Sequence, residues 1–194
     1  MVALSFLIWF PLMLGSCAWL SEKKFSGSGN WVTLFGLFSL LIFGVYLASD
    51  GTNSLSWEWF ARFNIHFSLL YDGLALLLVT LTIALAMLAV MVSWNDIEQH
   101  RGFFHFNLMF SVAGIIGVFL AADLFLFFLF WEIMLIPMYI IIAIWGHENK
   151  SYAAMKFFIF TQVSGMLMLI SIVMMADLHF VDFGILSLKC QDLL

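Results

Sequence analysis

Six apolar runs of roughly twenty residues dominate the sequence, at residues 2–20, 31–49, 69–94, 103–122, 124–145 and 152–176, and none holds more than one Asp, Glu, Lys, Arg or His. A helix needs about 20 apolar residues to cross a hydrocarbon core about 30 Å thick, so each run is long enough to span a bilayer. Transmembrane strands would need shorter segments in which apolar and polar residues alternate, and residues 124–130 do not alternate at all. The chain is 64% hydrophobic and 10% charged, against roughly 25% charged residues in a soluble domain. No soluble fold of 194 residues has interior enough for that load. The expected architecture is an all-α, polytopic transmembrane bundle of about six helices, forming a single membrane domain over residues 1–194.

The net charge of −5 is modest, and the seven basic residues are scattered apart from the pair Lys23 and Lys24. No basic patch exists for a phosphate backbone, which argues against nucleic acid as a partner. Cys17 and Cys190 fit neither a disulfide framework nor the close ligand pairs of a metal site. Residues 2–20 lack the positive n-region of a secretory signal, and Lys23 and Lys24 follow the run, as they do where a retained first helix enters the cytoplasm.

The linkers differ in character. Residues 26–30, Ser-Gly-Ser-Gly-Asn, form a flexible turn, 50–66 are the longest loop, and 96–101 are a short charged link. Between the fourth and fifth helices only Ala121, Ala122 and Asp123 intervene, and Asp123 is suited to cap the helix that follows. With the N-terminus outside, the inner side holds Lys23, Lys24, Arg101, Lys150 and Lys156, against Arg62 and Lys189 outside. The positive-inside rule therefore favours an outer N-terminus, with residues 177–194 as an outer tail.

Glu132 is the most informative residue. It lies nine residues past Asp123, which at 1.5 Å per residue is about 13 Å down the fifth helix, near mid-membrane. A carboxylate there costs several kcal/mol unless protonated, paired or hydrated, and such residues mark ion or proton routes by default. The alternative is a protonated acid tying helices together. Pro137 follows five residues later and leaves the Ile133 carbonyl without its helical donor, so a kink is expected beside Glu132.

Lys156 lies about one turn inside the cytoplasmic edge, where snorkelling accounts for it. Its depth differs from that of Glu132 by about 10 Å, so any coupling between them would run through water. On the sixth helix Thr161, Ser164, Met168 and Ser171, with Gln162 and Gly165 alongside, fit helix packing. Asp72 suits an N-cap for the third helix. His105, at the start of the fourth helix, and His147, just past the fifth, could exchange protons with solvent near neutral pH. Interfacial hydrogen bonding is the simpler role for each. Phosphate loops, HExxH pairs, cysteine clusters and nucleophile elbows leave no trace.

Several stretches together resemble a known family. They are residues 101–109 (RGFFHFNLM), 117–123 (GVFLAAD), 130–139 (FWEIMLIPMY) and 145–147 (WGH), with Asp72-Gly73-Leu74 on the third helix and Lys156-Phe157-Phe158 and Thr161-Gln162 on the sixth. This pattern resembles the antiporter-like membrane subunits of bacterial proton-translocating NADH:quinone oxidoreductase, respiratory complex I, and within them the subunit M branch. The resemblance covers residues 65–176 and extends to the first two helices only in pattern.

It implies that Glu132 takes part in proton translocation, with Lys156, His147 and His105 as proton-path or interfacial support. It further implies a multi-pass place in the bacterial inner (plasma) membrane, with the lipid bilayer and the other membrane-arm subunits of complex I as partners. No cofactor is expected in this chain, and NADH, FMN, Fe–S clusters and quinone would belong to other subunits. Members of this family continue past six helices to a broken seventh, a mid-membrane lysine on the eighth and a later acid, so the chain is expected to be the N-terminal part of such a subunit. Two other readings are a subunit of a cation/proton antiporter or membrane-bound hydrogenase, and a non-conducting membrane remnant or assembly element.

Overall fold

The computed structural model describes residues 2–25, 27–49, 53–60, 65–97 and 99–191. In chain order the elements are α1 (Val2–Lys24), α2 (Ser28–Ser49), β1 (Asn53–Phe60), β2 (Ile65–Tyr71), α3 (Gly73–Asp96), α4 (Arg101–Leu120), α5 (Leu124–Trp145) and α6 (Lys150–Gln191). All six helices are long and apolar enough to cross a membrane. The chain is an all-α polytopic bundle with one small addition.

That addition corrects the sequence reading, which took residues 50–66 as loop and began the third helix at residue 69. Strands β1 and β2 pair antiparallel, Asn53 opposite Tyr71 and Trp57 opposite Phe67, with an irregularity between Glu58 and Phe60. The strand signal was present: Leu55, Trp57 and Trp59 alternate with Ser54, Ser56 and Glu58, the period of a pleated ribbon. Leu69 and Tyr71 are buried and Leu70 exposed, so period two persists until Asp72 starts α3 by accepting a bond from the Ala75 N–H at 2.8 Å. At the other end, residues 177–191 continue α6 instead of forming a separate tail. No proline interrupts that stretch, and the lone Gly184 costs a helix only about 1 kcal/mol.

Hydrogen bonds at each end of the bundle join neighbouring linkers into two distinct faces. On one face the Glu22 carboxylate accepts from the N–H groups of Gly27 and Gly29 at 2.9 and 2.8 Å, capping the start of α2. There too the Trp145 indole N–H donates to the Gln99 carbonyl at 2.9 Å. Lys23, Lys24, Arg101 and Lys150 all belong to this end, because they close α1 or open α4 and α6. On the opposite face β2 bridges Ala121 through Leu69, and the Ala122 N–H donates to the Ser68 carbonyl at 2.9 Å. The Tyr71 hydroxyl donates to the Gly44 carbonyl at 3.0 Å. The hairpin thereby fixes the α4–α5 corner, from which Asp123 caps α5 by accepting from Phe125 and Leu126.

Helix α4 is the hub, packing against α1 and α5 and also touching α2 and α3. Lipid supplies no hydrophobic drive between helices, so close approach depends on small residues. A Cβ at Gly114 would lie 2.6 Å from Met134 Cβ, and one at Gly117 would strike the Phe130 ring. These two glycines seat α5 directly on α4.

Candidate membrane-embedded carboxyl site

Phe130 and Met134 lie two residues before and after Glu132, and since both turn towards α4, the helical period turns Glu132 away from it. The side chain meets α6. There Oε2 of Glu132 accepts a bond from the Gln162 amide at 2.7 Å. Oε1 is buried and has no hydrogen-bond partner among the described residues. Gly165 lies against this oxygen so closely that a Cβ at residue 165 would collide with it.

The depths agree with a mid-membrane site. Helix α5 enters from the hairpin face and places Glu132 about 13 Å in, while α6 enters from the basic face and places Gln162, twelve residues along it, about 18 Å in. Together these depths match a hydrocarbon core about 30 Å thick.

The other sequence candidates lie apart from this pair. Pro137 is buried within α5, which runs unbroken from Leu124 to Trp145. Lys156 is exposed, and its Nζ lies 5.9 Å from the centre of the Tyr152 ring, one turn back towards the basic face. His147 is exposed beyond the end of α5. His105 is 2% exposed and shares a hydrogen bond with the Asn30 side-chain oxygen, tying α4 to the start of α2. Its other ring nitrogen has no partner among the described residues. Sequence reading assigned Gln162 and Gly165 to helix packing and so missed both contacts with the carboxyl. An amide and a glycine three residues apart on one apolar helix face were the available signal. Among the described residues no three His, Cys, Asp or Glu side chains gather as metal ligands would.

Residues 121–189 match the family described as NADH:quinone oxidoreductase/Mrp antiporter, TM. The chain is 41% identical to NADH-quinone oxidoreductase subunit M of Escherichia coli K12, over 98% of its own length and 41% of that protein. It is 40% identical to the subunit M of Pseudomonas aeruginosa, over 98% of its own length and 42% of that protein. It therefore spans about two-fifths of the length of these curated relatives. Among solved structures, the Mrp complex from Dietzia sp. DQ12-45-1b superimposes with a TM-score of 0.76 at 17% identity, covering 86% of this chain and 18% of that one. The archaeal membrane-bound sulfane sulfur reductase superimposes with a TM-score of 0.70 at 21% identity, over 87% of this chain and 26% of that one. At those identities the two likenesses establish the fold alone. A multi-pass membrane protein of this kind resides, in a bacterium, in the inner membrane. Residues 121–189 thus match the NADH:quinone oxidoreductase/Mrp antiporter family, and over nearly its whole length the chain is similar to part of subunit M.

Proposed function

We propose that the chain is the N-terminal part of a proton-translocating membrane-arm subunit of NADH:quinone oxidoreductase, and that Glu132 is its proton-carrying group. The observation that carries this reading is a carboxyl within an apolar helix, held by an amide on one oxygen with the other left without a partner among the described residues. A purely structural tie would be expected to satisfy both oxygens, because an orphaned buried acceptor costs about 1–3 kcal/mol. Its relatives are subunits of NADH-quinone oxidoreductase, and in this reading electron transfer from NADH to quinone belongs to other subunits of that assembly. Other membrane-arm subunits and lipid are its partners, and residues 1–194 act as one membrane domain. The test is NADH-driven proton translocation by a subunit M that contains this chain, with and without Glu132→Gln.

Lys156 and His147, near the basic face, and His105, within the start of α4, take supporting or interfacial roles in this reading, and Pro137 loosens α5 below Glu132 by leaving the Ile133 carbonyl without its helical donor. The orientation we propose puts the N-terminus and the hairpin outside and the face bearing Lys23, Lys24, Arg101 and Lys150 in the cytoplasm. A cysteine placed at Asn53 should label with an impermeant thiol reagent in intact spheroplasts, and one placed at Asn95 should not. Labelling at Asn95 alone would reverse the orientation.

A further inference from the structure

Gln162 and Gly165 are three residues apart on α6 and so share one of its faces, and both meet the carboxyl group of Glu132. Resting on the reading of Glu132 as the proton carrier, we propose that these two are positioning residues that give its two oxygens different tasks. Gln162 holds Oε2 as a fixed acceptor, and Gly165 makes room for Oε1, the oxygen that binds and releases the proton.

The chemistry follows from what an amide N–H can do. It has only a proton to offer, so the oxygen it meets must present a lone pair. In a neutral carboxylic acid the carbonyl oxygen is the better acceptor, and an N–H on Oε2 therefore favours the hydroxyl hydrogen on Oε1. When the acid ionises, the O–H bond at Oε1 breaks, the electron pair stays on the carboxylate and the proton passes to a water molecule that reaches Oε1. The N–H bond to Oε2 then becomes charge-assisted and stronger. One partner thus serves both states without rotation of the Glu132 side chain, and Oε1 alone changes its bonding.

Gly165 is the steric half of the device. Any Cβ there collides with Oε1, and the cheapest escape is for the flexible end of Glu132 to swing off Gln162. A glycine inside a helix costs about 1 kcal/mol relative to alanine, and this close approach accounts for that cost. A mere packing role for the two residues would leave the carboxyl indifferent to whether residue 162 carries an N–H.

Infrared difference spectra of the chain in phospholipid vesicles, taken between acidic and alkaline buffer with Glu132→Gln as the blank, isolate the carboxyl C=O band of Glu132. Gln162→Met keeps the length of the side chain and removes the donor, so the band should move to higher frequency. Gly165→Ala should move it the same way by lifting the carboxyl off the amide. A Gln162→Met band at the unsubstituted position would overturn the proposal, and an unmoved Gly165→Ala band would overturn its steric half. Should Gln162→Met fail to insert as helix, solid-state NMR on the unsubstituted chain decides. Magnetisation transfer between the Glu132 carboxyl carbon and the Gln162 side-chain nitrogen supports the pairing, and its absence overturns it. These spectra read the surroundings of the carboxyl and not transport, so they can fail while proton pumping stands, and the reverse.

Discussion

Helices α4 and α6 are both apolar enough to cross a bilayer, yet 67% of the spanning window of α4 is buried inside the chain against 6% for α6. The difference lies in the small residues. Gly114 and Gly117 of α4 lie directly under α5, whereas α6 packs chiefly on α5 and turns Phe160, Met166, Leu167 and Ile170 outward. Apolar content decides whether a helix enters the membrane, and small residues decide how closely it packs once there. Glu132 sits on the boundary between these two regimes. Its own helix is braced from behind by the packed hub, while its carboxyl faces a thinly covered helix that meets it with one amide and one glycine.

The widest stability gap should separate the two helices under an equal increase in bulk. Gly117→Ala, which like Val163→Leu adds one carbon, forces a Cβ into the Phe130 ring, and overpacking of this kind costs about 1–3 kcal/mol. Val163→Leu, on an exposed face of α6, should stay within about 0.5 kcal/mol. Unfolding of the chain from detergent micelles by added sodium dodecyl sulfate measures both. Equal losses at the two positions would mean that the glycine contact does not set the packing.

A smaller effect should sharpen the role of the hairpin, which anchors the packed side of the bundle. Burial raises the Tyr71 phenol above its usual 10.0, because the phenolate is the form that burial disfavours. Its hydrogen bond to the Gly44 carbonyl is therefore fully present below the unfolded value and is lost as pH rises through the higher folded one. Tyr71→Phe should cost about 1 kcal/mol at neutral pH and should remove this part of the alkaline loss of stability. An alkaline profile unchanged by Tyr71→Phe would show that the hairpin gains nothing from this bond.

Much of this arrangement was legible in the residues themselves. Helix α5 begins and ends where its apolar run does, because Asp123 caps one end and Gly146 stops the other. The N-cap role of Asp72 was equally readable, since a short acid directly before an apolar run has few other uses there. The hairpin was missed for the opposite reason. Its second strand, β2, leads into the third apolar run, and there only the period changes, from two to 3.6 at Asp72. Glu132 stood out by its depth, but Gln162 did not, because an amide on an apolar helix reads as packing until the opposing carboxyl is placed in space. The bond between His105 and Asn30 joins residues far apart in the chain, and no local pattern announces it.

One substitution tests directly whether Glu132 is the proton carrier. The chain replaces the segment it matches in subunit M of Escherichia coli, and proton uptake is followed in inverted membrane vesicles supplied with NADH. Glu132→Gln keeps nearly the same shape and can still hydrogen-bond across to α6, but it cannot release a proton. The substitution should leave assembly and the oxidation of NADH largely in place and remove most of the proton uptake coupled to it. Proton uptake equal to that of the unsubstituted graft, at the same rate of NADH oxidation, would contradict the account and leave Glu132 as a tie between two helices.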